Sequence, residues 1–350
     1  MRNTHGYAAF DPQSPLGPFS FPRREPLADD VVIEIHYCGV CHSDLHQVRN
    51  EWHGSSYPMV PGHEIIGQVL ETGAAATRFQ AGDWVGVGCM VDACGACPEC
   101  QDHQEQYCDH TTYTYNSPDP HTGLHTYGGY SKLVVVNQRF VLSVDKSLDP
   151  AAAAPLLCAG ITTYSPLRHW GVKPGQKVGV IGLGGLGHMG IKFAHAFGAE
   201  VALFTTSEHK IADAKKLGAD QVILTKHTEQ FAEHALSFDF ILDTVAAPHN
   251  LDPYTACLKR DGVLCLVGVP DQAHPSPNVG NLIFKRRAIA GSLIGGIRET
   301  QEMLDFCAEH GIQSDIELIP LSEINHAYER MLRSDVKYRF VLDLKNYAPT

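Results

Sequence analysis

Short, continuously apolar runs alternate with helical patterns through the middle of the chain. Lys177–Gly182, Val201–Thr205, Gln221–Leu224, Phe238–Val245 and Val263–Gly268 read as strands buried on both faces. Leu186–Phe197 and Ile211–Leu217 lie between them with apolar residues at helical spacing, and Ala288–Ile294 offers a sixth strand. This alternation predicts an α/β fold with a parallel, doubly wound sheet and right-handed crossovers. Up to about residue 150 the texture is different: Gly, Pro and His are frequent, and β-branched runs such as Val31–Ile35 are cut short by turn signals. That pattern predicts an irregular, mostly β domain. Beyond about residue 297 follow a helix (Glu299–His310), a strand (Asp315–Ile319), a second helix and a last strand (Arg339–Leu344). In the second helix Ile324, Ala327, Tyr328, Met331 and Leu332 form one apolar face. This tail is too short for a domain of its own and must pack on one of the others.

Composition narrows the function. The 350 residues hold 27 basic and 39 acidic side chains, a net charge of −12, so the basic footprint of a nucleic-acid binder is missing. The densest basic cluster, Lys285-Arg286-Arg287, reads as a solvated element end. Apolar stretches such as Ala151–Ala159 fall short of the ~18–20 residues of a membrane span. The first residues carry no apolar signal segment, so a cytoplasmic location is expected. Seven of the 11 cysteines lie between Cys38 and Cys108, and there are 20 histidines. Such clustering points to metal ligands rather than a disulfide framework.

Gly182-Leu183-Gly184-Gly185-Leu186-Gly187 fits G-x-G-x-x-G after a strand and at the start of a helix. In that setting the first Gly turns the chain, the second admits a diphosphate, and the third lets helix and strand close up. The helix N-terminus then offers N–H groups to the anion. A plain strand–helix turn is the alternative for a lone match; the surrounding strand–helix array favours the dinucleotide. The second strand ends Thr205-Thr206-Ser207-Glu208-His209-Lys210, with hydroxyls where an NAD site usually has its acid. Thr205, Thr206, Ser207 and Lys210 suit a 2′-phosphate and favour NADP, with Glu208 as the rival ribose ligand.

Cys94, Cys97, Cys100 and Cys108 are spaced C-x2-C-x2-C-x7-C, which can close a tetrahedral, structural Zn2+ site. An iron–sulfur cluster is the metal alternative, disfavoured by the missing C-x3-C-P continuation. Three other fragments, Cys41-His42-Ser43-Asp44-Leu45-His46, Gly62-His63-Glu64 and Leu157-Cys158, are weak signals one by one. Each reads as readily as core, and H-E-x-x-H is excluded because Ile65-Ile66-Gly67 follows Glu64.

Gly62-His63-Glu64-x2-Gly67-x5-Gly73 resembles the signature of zinc-containing medium-chain alcohol dehydrogenases. The four-cysteine loop, the mid-chain Gly-rich turn and the order of the domains resemble that family over nearly the whole chain. Cys41-His42-Ser43-Asp44, the Thr-Thr-Ser strand end and Lys337-Tyr338-Arg339-Phe340-Val341 look most like its cinnamyl-alcohol-dehydrogenase branch, which includes bacterial NADPH-dependent aldehyde reductases. The resemblance implies a GroES-like catalytic domain over residues 1–155, a Rossmann-type dinucleotide domain over 156–295, and a return of 296–350 to the first, with the active site in the cleft between the two. It implies Cys41, His63 and Cys158 as catalytic zinc ligands, Glu64 as an occasional fourth, and Asp44 orienting His63. Ser43 and His46 would relay a proton through the cofactor ribose, Arg339 would meet the cofactor diphosphate alongside Gly182, Gly184, Gly185, Leu186 and Gly187, and Val269 would face the nicotinamide.

Trp52 and Val269 are the candidate pocket walls, while His42 and His53 remain ordinary polar residues. Cys38, Cys89, Cys257, Cys265 and Cys307 remain apolar fillers. The expected activity is NADPH- and zinc-dependent interconversion of aldehydes and primary alcohols, with two zinc ions per chain and a homodimer suggested by the family. The rivals are an NAD-dependent polyol or formaldehyde-type dehydrogenase and a non-enzymatic zinc- and dinucleotide-binding protein. The polyol enzymes more often place a carboxylate where Cys158 stands.

Overall fold

Residues 1–347 are described by a computed structural model. The first part of the chain contributes β1 (Arg2–Ala8), β2 (Gly17–Arg23), β3 (Asp30–Gly39), β4 (Ile65–Thr72), β5 (Trp84–Val87), β6 (Met90–Asp92), β7 (Thr112–Tyr113), β8 (Leu133–Asn137) and β9 (Leu142–Ser143). The central part contributes β10 (Lys177–Ile181), β11 (Glu200–Thr205), β12 (Gln221–Leu224), β13 (Phe238–Asp243), β14 (Leu258–Leu266) and β15 (Ala288–Gly291); β16 (Ile316–Pro320) and β17 (Arg339–Asp343) close it. The chain divides into two units, one built from Met1–Ile161 together with the chain from Gly295 on, the other from Thr162–Ile294.

In the second unit six strands pair in parallel in the order β12-β11-β10-β13-β14-β15. The order reverses beside β10, the strand that feeds the Gly-rich turn, and open α/β sheets bind ligands at such a switch point. The helices Gly187–Ala196 and Ile211–Leu217 follow β10 and β11. Phe204, Phe238 and Tyr254 are buried in the core of this unit, with Phe231 packed on them. Arg286 pairs with Asp261, but Arg287 is no solvated end: it donates to the carbonyls of Leu258, Asn281 and Ala256 at 2.8, 2.9 and 3.1 Å. Its guanidinium serves backbone groups that the strand entry leaves without partners.

The first unit is organised on a seven-stranded sheet, β16-β17-β3-β4-β5-β9, with β8 also paired to β3. β17 runs antiparallel to β3 between it and β16, so the C-terminal segment completes this sheet. Residues 156–161 fall in the first unit rather than with the dinucleotide domain. The reason is local packing: Cys89 donates its thiol to the Leu157 carbonyl, and the Leu157 side chain covers Gly86 of β5. The tail helix Ile324–Leu332 buries Ile324, Ala327, Tyr328 and Met331 but leaves Leu332 52% exposed. At 100° per residue Leu332 sits about 80° from Ile324, beyond the edge of the stripe. No helix among the described residues is long and apolar enough to cross a membrane.

Candidate zinc and dinucleotide sites

The helix His42–Val48 starts where β3 ends, with Cys41 as its N-cap. Asp44, at the third helical position, reaches back to the Cys41 N–H at 3.0 Å, as in a capping box. The same carboxylate accepts from Gly62 N–H at 3.1 Å and Tyr130 O–H at 3.1 Å, and lies 3.0 Å from His63 Nδ1. Asp44 thus locks the backbone of one expected ligand and the ring of another, turning His63 Nε2 away as the free nitrogen. Cys158 arrives from the turn ahead of the helix Ala159–His169.

Cys41, His63, Glu64 and Cys158 each bring one ligand atom within 4.8 Å of the others, and all four residues are buried. Cys41 Sγ and Cys158 Sγ are 4.0 Å apart, close to the ~3.8 Å that two sulfurs at 2.3 Å from one tetrahedral zinc would show. The hydrogen bond from Cys158 draws the Cys41 thiol well below its usual range despite burial, and Cys158 is pushed up in return. Burial opposes charge on His63, yet the Asp44 carboxylate and the sulfurs of Cys89 and Cys41 together hold the imidazole well above its ordinary value. A set with paired sulfurs, an anchored imidazole and no surplus protein ligand besides Glu64 fits an open-sided zinc.

Glu64 Oε1 accepts from Arg339 Nη2 at 2.5 Å, and Arg339 also donates to the Val40 carbonyl at 2.8 Å. Glu64 Oε2 and Arg339 Nη1 are buried and keep no hydrogen-bond partner. Burial raises the Glu64 carboxyl to about 7 against the pull of Arg339. Ser43 Oγ is 3.6 Å from Cys41 Sγ. His46, one turn further along, holds Glu51 through Nδ1 at 2.5 Å and stacks on Trp52.

Sequence reasoning passed over four neighbours of this centre. Tyr115 stacks on His63, and Tyr328 donates at 3.5 Å to the Tyr130 hydroxyl that serves Asp44. Cys89 is not a plain filler: the hydrogen bond to Cys158 lowers its thiol pKa. None of the four sits in a ligand spacing; Tyr328 was marked only as part of the apolar face of its helix.

The second cysteine set is local. Cys94, Cys97, Cys100 and Cys108 lie within 4.8 Å of one another, with 3.9 Å between Cys94 Sγ and Cys100 Sγ. Backbone N–H groups of Ala96 and Cys97 point at Cys94 Sγ at 3.4 and 3.3 Å, those of Cys100 and His110 at the sulfurs of Cys97 and Cys108. The bonds from Ala96 and Cys97 bring the Cys94 thiol down to about 6. Four sulfurs from one loop leave no open position.

In the second unit Gly182 has φ +88°, and a Cβ on Gly187 would stand 2.0 Å from the Gly182 carbonyl oxygen. Gly184 faces open space, where a diphosphate has room. Gly185 is half-buried, and Leu186 caps the helix without a side-chain hydrogen bond. Thr205 is buried and its Oγ1 accepts the Ser207 N–H at 3.2 Å, while Thr206 and Ser207 lie at the surface side of that turn. Lys210 reaches back to the Leu183 carbonyl at 2.9 Å, which sets its ammonium at the Gly-rich turn. Hydroxyls and a cation beside an open glycine fit a dinucleotide with a 2′-phosphate. Val269 is 59% exposed, and Trp52 is half-buried with its indole N–H unpartnered.

Comparison with known proteins gives the same picture. Residues 27–146 match the family model of the alcohol dehydrogenase GroES-like domain and residues 185–309 that of the zinc-binding dehydrogenases. The chain is 63% identical over 336 residues to aldehyde reductase YahK of Escherichia coli, covering 96% of each. It is 50% identical over 343 residues to cinnamyl alcohol dehydrogenase 2 of Rauvolfia serpentina, covering 97% of this chain and 95% of that one. Among solved structures it is similar to a cinnamyl alcohol dehydrogenase of Sorghum bicolor (TM-score 0.97, 42% identity) and to that of Helicobacter pylori complexed with NADP(H) (TM-score 0.94, 42% identity), each covering 99% of both chains. The chain therefore belongs to the zinc-containing, GroES-like alcohol dehydrogenase family, with the medium-chain dehydrogenase fold.

Proposed function

We propose that this chain reduces aldehydes to primary alcohols with NADPH, reversibly, at the Cys41–His63–Cys158 centre, and that it accepts aromatic, cinnamyl and aliphatic aldehydes. The observation that carries the reading is the convergence of two sulfurs and one imidazole in a buried place, with Asp44 holding two of them. The aldehyde reductase and cinnamyl alcohol dehydrogenase relatives support the substrate class.

When bound, zinc supplies a Lewis acid for the carbonyl oxygen and NADPH supplies the hydride. Cys41 and Cys158 as thiolates and His63 through Nε2 hold the metal, and Asp44 keeps the imidazole in the tautomer that leaves Nε2 free. Ser43, on the first turn of its helix, gives a proton to the oxygen of the reduced substrate. His46 restores that proton, its ring fixed by Glu51 and Trp52. Arg339, anchored on Glu64 and Val40, keeps Nη1 as the donor for the cofactor diphosphate. Gly182, Gly184, Gly185, Leu186 and Gly187 cradle the same group, and Thr206, Ser207 and Lys210 take the 2′-phosphate.

In this reading the unit of Met1–Ile161 with the chain from Gly295 on is the zinc domain and Thr162–Ile294 the cofactor domain, Cys94, Cys97, Cys100 and Cys108 hold the second zinc, and Val269 lines the nicotinamide. A homodimer pairs through the edge of the cofactor sheet. β15 is the edge strand, and Val279, Ile283 and Phe284 in the segment before it are 64, 71 and 85% exposed. Eleven free cysteines suit a reducing cytoplasm.

The test is an aldehyde panel with NADPH and NADH, run with metal analysis. Charge-assisted contacts to a 2′-phosphate predict kcat/KM roughly 10–100-fold higher with NADPH. Faster turnover with NADH would move the ribose contact to Glu208, and no turnover of any aldehyde by zinc-loaded protein would end the proposal.

A further inference from the structure

The second unit carries a third group of metal-type donors, which neither zinc centre nor the dinucleotide turn uses. Asp243 ends β13, His249 lies in the loop after it, and His274 in the loop after β14. One ligand-type atom from each falls within 4.8 Å of the others. Asp243 is 1% exposed: its Oδ1 accepts the Val245 N–H at 3.0 Å, and its Oδ2 has no hydrogen-bond partner. His249 Nε2 stands 3.1 Å from that oxygen, also buried and also without a hydrogen bond.

Nδ1 of each ring lies against backbone. His249 Nδ1 lies 2.9 Å from the Ala247 carbonyl, and His274 Nδ1 lies 3.3 Å from both the carbonyl and the N–H of His249. A ring that donates Nδ1–H to a carbonyl carries its lone pair on Nε2, which is how metal-bound histidines are usually braced. In that tautomer the His249 lone pair faces a buried carboxylate oxygen, which is unfavourable unless a cation joins them. The cation is either a proton, giving an imidazolium–carboxylate pair, or a metal.

We propose that Asp243, His249 and His274 form a separate binding site for a divalent transition-metal ion of the zinc class. Two imidazoles and one carboxylate are a common ligand set for zinc, with a fourth position left for water. The 3.1 Å between Oδ2 and Nε2 is near the ~3.4 Å expected for two ligands at 2.1 Å from a tetrahedral ion. The His274 ligand atom lies within 4.8 Å of both. His249 and His274 are only half-buried, which gives the ion a way in. An ion here ties the loop after β13 to the loop after β14, at the strand ends where sheets of this type take their ligands. The competing proton has its own support, because the carboxylate raises the His249 pKa.

Zinc content separates the two. The full chain without an affinity tag is dialysed against buffered micromolar Zn2+, and bound metal is counted by mass spectrometry in the wild type, His274→Ala and His249→Gln. A third equivalent in the wild type and only two in either variant is expected, with NADPH-dependent turnover retained in all three. The thermal midpoint should also rise with added Zn2+ in the wild type and not in His274→Ala. Two equivalents in the wild type, or equal content in wild type and a folded variant, would overturn the metal site and leave the proton in its place.

Discussion

The two cysteine centres of the first unit gather zinc-type donors by opposite routes. The loop Cys94–Cys108 brings four sulfurs together within one short stretch, holds them with N–H groups of its own turns, and leaves Cys94 exposed. The centre at Cys41, His63 and Cys158 joins residues up to 117 positions apart, with every ligand buried and with Asp44, Tyr130 and Tyr328 built around it. A site closed by local turns is complete once its loop folds. A site assembled by packing can be left one ligand short, and it can be tuned by residues that never touch the metal.

The contrast is broken or sharpened by four substitutions. Cys41→Ala removes a ligand from the assembled centre and is expected to lower aldehyde turnover by about 1,000-fold or more, since metal polarisation supplies several kcal/mol. NADPH binding, followed by fluorescence titration, should be unchanged; retained turnover would take Cys41 out of the centre. Asp44→Asn keeps all three ligands and should weaken zinc affinity about 10–100-fold, as loss of a ligand's hydrogen-bond partner usually does. Zinc-buffered titrations read that change, and added zinc should restore part of the turnover, which it cannot do for Cys41→Ala.

Cys97→Ser acts on the other side of the comparison. It should cost about 3 kcal/mol of stability and roughly 6–12 °C in thermal midpoint, because structural zinc contributes folding free energy. Turnover per folded molecule should survive. A variant as stable as the parent would mean that the loop needs no metal. The smallest effect is expected for Cys89→Ser, whose sulfur borders Cys158 without belonging to the converging ligand set. Zinc content should stay the same and kcat/KM should change by less than about threefold, since a one-atom change at a half-buried side chain removes no ligand. Loss of one zinc would enlarge the centre to a third thiolate.

The same division runs through what was legible beforehand. The six parallel strands and the Gly-rich turn were readable because a buried parallel strand is a continuous apolar run and the turn is a local motif. The tail helix was readable except at Leu332, where the stripe had already rotated away from the core. Arg287 looked solvated because its three carbonyl partners are set by the chain's path, and Cys89 looked like filler because its neighbour Cys158 is far along the sequence. Asp243, His249 and His274 formed no pattern at all, being spread over two loops.

Sequence by itself determined the local devices: strand and helix periods, the phosphate-type turn and the four-cysteine loop. Each depends on residues a few positions apart, whose separation the covalent chain already restricts. Only the tertiary structure decided that Cys158 meets Cys41 and His63, that Arg339 lies on Glu64, and that one carboxylate, Asp44, serves both the backbone N–H of Cys41 and the imidazole of His63. Those meetings depend on how β3, β4, β17 and the Cys158 turn pack, and no spacing rule encodes a distance between residues that the chain itself leaves free.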